Sequence, residues 1–77
     1  MVTGLVLVRL ISGNEKEALQ KIKDTLGVSH VAAVFGRWDL VLDMETKDLP
    51  TLSSTVVEHI RSIPGVLSTE TLVTTAI

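Results

Sequence analysis

The segment from Val2 to Ile11 limits the fold most strongly, because it is almost continuously apolar and rich in β-branched residues. Arg9 is its only charged residue, and no polar stripe recurs at helical spacing. This pattern predicts a β-strand buried on both faces. The run is too short to cross a membrane. The two faces of the strand are Val6, Val8 and Leu10 on one side, and Leu5, Leu7 and Arg9 on the other.

The next segment predicts an amphipathic helix. Ser12-Gly13-Asn14 interrupts the apolar run, and Asn14 together with Glu17 fits a capping box, in which each side chain satisfies a free backbone N–H. Gly27 is suited to the C-terminal cap of this helix. Outward positions carry polar residues such as Lys16 and Lys23. The apolar face predicted at helical spacing consists of Ala18, Leu19, Ile22 and Leu26.

Two further strands follow, joined by a short turn. Residues 28–35 return to a pattern rich in Val and Ala, and residues 40–45 alternate apolar and polar side chains. The Gly36-Arg37-Trp38 segment between them is short enough for a hairpin connection. The alternation predicts Leu40, Leu42 and Met44 on one face, and Val41, Asp43 and Glu45 on the other.

A second helix and a last strand complete the pattern. Asp48 is suited to the N-cap of the helix, and Pro50 is tolerated in its first turn. Pro64-Gly65 ends the helix, and a Thr-rich strand follows from Val66 to Val73 or beyond. The residues at helical spacing in this second helix are Leu49, Leu52, Val56, Ile60 and Ile63.

The resulting order, βαββαβ, predicts an α+β sandwich of the ferredoxin-like type. In this architecture both helices lie on one face of a four-stranded antiparallel sheet. No linker or low-complexity segment interrupts the 77 residues, so residues 1–77 are expected to form a single domain. The uncovered face of the sheet would carry Leu5, Leu7, Val41 and Val73. Because an apolar face is unfavourable in water, we expect it to be buried against a second copy of the chain.

Composition excludes several classes of function. Seven Lys and Arg residues against nine Asp and Glu residues give a net charge of −2, which disfavours direct nucleic-acid binding. An RNA recognition motif has the same strand order, but it needs aromatic residues on its open sheet face, where this sequence has Leu, Val, Asp and Thr. There is no cysteine, and therefore no disulfide, thiolate metal site or cysteine nucleophile. Without a signal peptide, a cytoplasmic location without membrane contact is expected.

Catalysis has few candidate residues. His30 is placed beside a strand and His59 on the second helix, and neither has an apparent nucleophile or metal-ligand partner at a suitable spacing. A surface role for both imidazoles is the simpler interpretation. The sequence therefore predicts that the protein is not an enzyme and holds neither a metal nor a cofactor.

The turn Gly36-Arg37-Trp38-Asp39 is the most unusual local feature. Gly36 permits close approach of the backbone to a ligand, and consecutive turn amides can hold a carboxylate. Asp39 could accept hydrogen bonds from an ammonium group, while Trp38 could enclose an apolar side chain. Together these properties suit a zwitterionic amino acid. A purely structural interpretation remains open, in which Gly36 forms the hairpin, Trp38 packs at an interface and Asp39 caps its own turn.

A second polar cluster, Ser68-Thr69-Glu70-Thr71, lies in the last strand. Its hydroxyl groups could bind the carboxylate or amine of a ligand at an interface. The alternative is an ordinary edge strand, since threonine is suited to β-structure by its shape.

The two clusters together resemble the Lrp/AsnC family. The residues that carry the resemblance are Gly36-Arg37-Trp38-Asp39-Leu40-Val41-Leu42, then Asp48-Leu49, then the segment from Ile60 to Thr71 with its Ile63-Pro64-Gly65-Val66 turn. The resemblance is to the C-terminal effector-binding (RAM) domain and covers essentially the whole chain. It implies the same βαββαβ fold, dimerisation through the sheets, and association of dimers into rings, commonly octamers. The chain looks like a stand-alone RAM domain, without the helix-turn-helix domain of full-length members.

The resemblance also implies a ligand-binding site. Backbone groups around Gly36 and Arg37 would hold the α-carboxylate of an amino-acid effector, and Asp39 would hold its ammonium group. Trp38 stands where Tyr or Phe is more usual, so effector specificity does not transfer. Thr69 and Thr71 match the strand that presents hydroxyls from a neighbouring subunit.

The sequence thus favours an oligomeric module that binds an amino acid or related metabolite and regulates transcription through a partner, such as a full-length Lrp/AsnC regulator. Three alternatives remain. The first is a structural ring without an effector, and the second is a dimeric ferredoxin-like barrel enzyme, for which Arg9 and His59 are distant candidates. The third is an ACT domain, which also binds amino acids between βαββαβ subunits.

Overall fold

A computed structural model describes residues 1–73, which form a four-stranded sheet and two helices. The predicted extension of the last strand beyond Val73 lies outside these residues. In chain order the elements are β1 (Val2–Leu10), α1 (Glu15–Lys23), β2 (Val28–Ala33), β3 (Leu40–Thr46), α2 (Leu49–Thr55, continued by a π-helical turn over Val56–Ile60) and β4 (Val66–Val73).

The sheet has the order β2-β3-β1-β4, and every neighbouring pair is antiparallel. The two central strands, β1 and β3, are therefore not consecutive in the chain, because α1 and β2 come between them. This topology confirms the predicted ferredoxin-like α+β fold.

The core lies between the sheet and the two helices. Both helices contribute to one continuous apolar cluster with β1 and β3, so they cover the same face of the sheet. The alternation predicted for β3 is confirmed, because Leu40, Leu42 and Met44 are all buried. The fully buried members of the cluster are Val6, Val8, Ala18, Ile22, Leu42, Met44, Leu52 and Ile60.

Within one chain, β1 is buried on one face only. Val6 and Val8 have no exposed surface, whereas Leu5 on the opposite face is 41% exposed. The prediction of a strand buried on both faces is therefore not met by a single chain. What remains is an uncovered sheet surface that includes apolar side chains.

The residues on this uncovered sheet surface differ from the prediction at one position. Val73 lies opposite Gly4 in the β1–β4 register, on the strand face that packs against the core, whereas Leu72 lies opposite Leu5. Residues directly opposite each other share a face of the sheet. The prediction for Val73 was therefore wrong by one residue. We use "open face" for the surface whose apolar members are Leu5, Leu7, Val41 and Leu72.

Helix α1 differs from the prediction at both ends. The Asn14 side chain makes no capping hydrogen bond, and its backbone (φ −118°, ψ 16°) is not in the extended region typical of an N-cap. Instead, the carboxylate of Glu15 accepts a 2.7 Å hydrogen bond from the Gly13 N–H. The helix ends at Lys23, before Leu26, which is 92% exposed and takes no part in the apolar face. Gly27 adopts a positive φ of 101° beyond this end, immediately before β2.

The connection between β2 and β3 is longer than a tight hairpin. β2 ends at Ala33, so residues 34–39 form the connection, and the predicted end of this strand at Phe35 was wrong. Phe35 is fully exposed in this loop, and Gly36 has a φ of 128°, a region that disfavours other residues.

The second helix begins as predicted, because the Asp48 side chain accepts a 2.8 Å hydrogen bond from the Thr51 N–H. After Thr55 the helix widens into a π-helical turn, in which the Arg61 N–H donates to the Val56 carbonyl at 2.8 Å. Such turns are rare in proteins and often lie at functional sites.

The Asp48 cap gives a first testable prediction. Replacing Asp48 with Ala removes the acceptor for the Thr51 N–H and should lower the melting temperature by several degrees. Asp48→Asn retains an acceptor oxygen and should lower it less. Thermal unfolding followed by circular dichroism measures both variants against the wild type. Equal melting temperatures for Asp48→Ala and the wild type would contradict the cap.

The Asp48 cap also makes the stability of the fold depend on pH. Hydrogen bonds from the Thr51 hydroxyl and backbone N–H hold the pKa of Asp48 below its ordinary value of 3.8. The unfolded chain therefore takes up this proton at a higher pH than the folded chain does. The stabilisation is complete above the ordinary pKa and is lost as the pH falls through the lowered one. The advantage of the wild type over Asp48→Asn should shrink over that range, and a constant difference would contradict this origin.

Candidate functional site

Asp39 is anchored between the loop and the central strands. Its backbone N–H donates to the Val8 carbonyl at 2.9 Å, and its carbonyl accepts from the Val34 N–H at 3.0 Å. Its carboxylate oxygen Oδ2 accepts a 2.8 Å hydrogen bond from the Leu10 N–H. Asp39 therefore continues the contact between β3 and β1 beyond the last paired residues of β3.

This contact occurs beside an irregularity in the pairing of β1 with β4. The register between β1 and β4 shifts between Arg9 and Leu10, so that Leu10 lies opposite Val66. The shift leaves Leu67 of β4 without a partner on β1, as in a β-bulge, a feature common next to functional sites. The Asp39 carboxylate thus binds the first backbone N–H beyond the bulge, and this holds the side chain in place although it is exposed.

A cavity of about 290 Å³ opens beside Asp39. This volume is near the lower end of the range of about 300–1,000 Å³ for small-molecule sites. One part of the lining is apolar and comes from both layers of the fold, and the other part is polar. The apolar residues are Leu10, Leu19, Ala33 and Leu40, and the polar ones are Ser12, Glu15, Lys16 and Asp39.

The polar lining carries both signs of charge. Lys16 supplies a cation, and Glu15 and Asp39 supply carboxylates. Each carboxylate also accepts one backbone hydrogen bond. Glu15 accepts from the Gly13 N–H and Asp39 from the Leu10 N–H, and each bond uses one carboxylate oxygen. The second oxygen of each carboxylate remains an acceptor for a ligand. This arrangement has the charge complementarity that a zwitterion requires.

The structure does not bring all the predicted site residues to this cavity. Asp39 lines it, whereas Gly36, Arg37 and Trp38 do not. A side chain at Gly36 would meet no atom within 4 Å, so the loop around it is open to a second molecule. Arg37 is exposed and Trp38 is half-buried.

The predicted hydroxyl residues lie elsewhere in the same chain. Thr69 and Thr71 are opposite Val8 and Val6 in the β1–β4 register, and they therefore lie on the side of the sheet that faces the helices. β4 is separated from β3 by β1, so one chain does not place these hydroxyls beside Asp39. Ser68 and Glu70 project to the other side, as their alternation with the threonines requires.

Three lining residues were missed by sequence reasoning. Ser12 was placed in the break after the first strand and Lys16 at an outward position of the first helix, and Glu15 was assigned no role in ligand binding. Their contribution depends on the packing of α1 against the end of the sheet. The one local signal was the position of Lys16, because a cation in the first turn faces the positive end of the helix dipole.

A larger cavity of about 630 Å³ lies between the end of α1, the end of β3 and the second helix. Lys21, Lys47 and His59 are among its lining residues, and none of the predicted site residues lines it. The smaller cavity is the better candidate despite its size, because it combines an anchored carboxylate with an apolar wall.

Two features are absent from residues 1–73. In this part of the chain, no group of three His, Cys, Asp or Glu side chains is placed to hold a metal ion. Nor does any helix there have the length and apolar character needed to cross a membrane.

Comparison with known sequences identifies one family. The family model described as the Lrp/AsnC ligand binding domain matches residues 3–76. An HTH-type transcriptional regulator from Pyrococcus furiosus is 32% identical over 74 residues, which are 92% of this chain and 49% of that regulator. The chain thus spans about half the length of this curated relative.

Solved structures agree with the sequence match. The crystal structure of a protein from Thermus thermophilus superposes with a TM-score of 0.92 at 32% identity and covers 100% of this chain and 96% of its own. A transcriptional regulator from Neisseria meningitidis, solved as a complex with L-Met, superposes with a TM-score of 0.90 at 16% identity, over 97% of this chain and 50% of that one. At this identity the second comparison shows a shared fold alone.

Proposed function

Since this chain belongs to the Lrp/AsnC ligand-binding domain family, we propose that it is an oligomeric module that binds an amino acid or a closely related metabolite. The observation that carries the proposal is Asp39, an anchored carboxylate at the wall of a small cavity with an apolar lining. The complex of a regulator of the same fold with L-Met supports an amino acid as the ligand class.

The proposed site combines residues of more than one subunit. Asp39 holds the ammonium group, backbone groups around Gly36 and Arg37 hold the α-carboxylate, and Trp38 lies against the ligand's side chain. Thr69 and Thr71 contribute from a neighbouring subunit, which is consistent with their distance from Asp39 across β1 within one chain. A site shared between subunits couples ligand binding to assembly, because a ligand that binds only the assembled state stabilises it by mass action.

We propose that the chain dimerises through the open face and that dimers associate into a ring, an octamer being the expected size. The exposed leucines of this face support the first step, since burying Leu5 and Leu72 removes apolar surface from water. Transcription is the proposed output, through mixed assembly with a full-length regulator that carries a like domain. A regulatory role also supports a cytoplasmic location.

A screen against the twenty amino acids tests the proposal. At a ligand concentration 100-fold above Kd, binding adds about 2.7 kcal/mol to stability, which for a domain of this size raises the melting temperature by about 10–20 °C. We expect one chemical group of amino acids to produce such a shift in the purified chain. Light scattering under the same conditions reports whether the mass changes with occupancy. The absence of a shift with any amino acid, on a particle that is already a stable ring, would favour a structural role.

A further inference from the structure

We propose that the larger cavity, of about 630 Å³, is a second ligand site and that it binds a phosphate monoester. Its lining includes basic side chains for the phosphate group and apolar side chains for the organic part of the ligand. No residue that lines the cavity beside Asp39 also lines this one, so the inference does not depend on the proposed function.

Three basic side chains reach the larger cavity from three different parts of the chain. Lys21 comes from the last turn of α1, Lys47 from the connection between β3 and α2, and His59 from the π-helical turn. Residues so far apart in the sequence are brought together only by the packing of both helices on the sheet. Their shared position around one cavity favours an anionic ligand.

The acidic lining residues oppose this charge only weakly. Glu45 alternates with Met44 and Thr46, whose side chains are buried on the helix side of β3, so its own side chain projects toward the open face and away from the cavity. The Asp24 carboxylate already accepts a 3.1 Å hydrogen bond from the Gln20 side-chain amide. The side chains that face the cavity therefore carry more positive than negative charge.

The π-helical turn aligns polar side chains of the second helix along the cavity. Thr51, Thr55 and His59 follow one another at intervals of four residues, and all three line it. Four residues exceed one turn of an α-helix but fall short of one turn of a π-helix. The rotation from Thr51 to Thr55 is therefore opposite in sense to that from Thr55 to His59, and the two largely cancel. An uninterrupted α-helix would turn His59 away from Thr51, so the π-helical turn gives the cavity its imidazole.

These groups suit a phosphate monoester. A phosphate monoester carries a charge of about −1.5 to −2 at neutral pH and has three strong acceptor oxygens. The ammonium groups of Lys21 and Lys47 and the imidazole of His59 can each donate a hydrogen bond to one of these oxygens. The hydroxyl of Thr55 can add a fourth.

The cavity has room for more than the phosphate. Its volume of about 630 Å³ lies in the middle of the range of about 300–1,000 Å³ for small-molecule sites. Leu26 and Ile63 line it, and Leu26 is 92% exposed. An organic group that covers Leu26 removes this apolar surface from water. We therefore expect a monoester with a large apolar or planar group to bind more tightly than inorganic phosphate.

Isothermal titration of the whole protein with AMP, glucose 6-phosphate, inorganic phosphate and citrate tests the inference. We expect AMP to bind most tightly, and Lys21→Gln and Lys47→Gln each to weaken its binding about tenfold. Lys23→Gln is the matched control, because it removes the same charge from the same helix at a residue that does not line the cavity. Lys16→Gln, which alters the lining of the cavity beside Asp39, is a second control. Neither control should change the affinity for AMP, and since all four lysines are exposed, every variant should keep the melting temperature of the wild type.

Each contrary outcome removes a defined part of the inference. If neither monoester binds the wild type, or if Lys47→Gln binds AMP as tightly as Lys23→Gln does, the larger cavity is not a phosphate site. If Lys16→Gln alone weakens AMP binding, the anion lies in the smaller cavity. If citrate binds more tightly than both monoesters, the site selects polycarboxylates. None of these results changes the outcome of the amino-acid screen, so the inference and the proposed function fail separately.

Discussion

Replacing Leu7 with Glu is expected to convert the proposed dimer into folded monomers. Leu7 is half-buried in one chain and lies at the centre of the open face, opposite Val41 on β3 and Glu70 on β4. In a symmetric dimer the substitution introduces two charges into one interface, each beside an existing carboxylate. Burying an unpaired charge costs several kcal/mol, so the dimer dissociation constant should rise at least about a hundredfold.

Sedimentation equilibrium or light scattering measures this loss of mass. Leu26→Glu is the matched control, because it makes the same change at a residue that is 92% exposed and lies in the turn after α1 rather than in the sheet. The control should keep the dimer. The circular dichroism spectrum of Leu7→Glu should match that of the wild type, because Leu7 projects away from the side of β1 that packs against the helices. A Leu7→Glu variant with the mass of the wild type would rule out the open face as the interface.

Replacing Asp39 with Asn should weaken amino-acid binding by roughly 10- to 100-fold, because it removes the negative charge that holds the ammonium group. The variant should keep its fold, since the asparagine side-chain oxygen can still accept the hydrogen bond from the Leu10 N–H. Titration with the amino acid that gives the largest shift in the thermal screen measures the affinity.

Asp39→Ala is a less specific variant and serves as the comparison. It removes the charge and also the acceptor for the Leu10 N–H, so its melting temperature should be lower than that of Asp39→Asn. If Asp39→Asn binds as tightly as the wild type, Asp39 has a structural role only. That result would revive the interpretation in which this residue caps the turn.

Sequence reasoning succeeded where local pattern decides the structure. Leu40, Leu42 and Met44 alternate as β3 requires, and Asp48 carries the acceptor that an N-cap needs. It failed where the answer depends on exact backbone conformation. Asn14 is a residue type that often caps helices, but its backbone angles are not those of an N-cap. Helix α1 ends at Lys23, so Leu26 lies in the turn that follows it.

The remaining differences arise from contacts between distant segments. The face of Val73 follows from the register between β1 and β4, which the sequence does not contain. In the same way, the cavity joins Lys16 of α1 to Asp39 of the β2–β3 loop, two residues that no local pattern relates. Asp39 itself could be identified because the turn around it has an unusual composition. Its anchoring by the Leu10 N–H could not be foreseen, because it depends on the end of β1 lying beside the β2–β3 loop.

That anchoring makes one backbone amide a spectroscopic reporter. The Leu10 N–H donates to a carboxylate, and such charge-assisted hydrogen bonds are shorter and stronger than neutral ones. Its proton resonance is therefore sensitive to any ammonium group that shares this carboxylate. In a ¹⁵N-labelled sample the Leu10 cross-peak would register ligand binding without an added probe. Its exchange with deuterium would show how often this end of β1 opens.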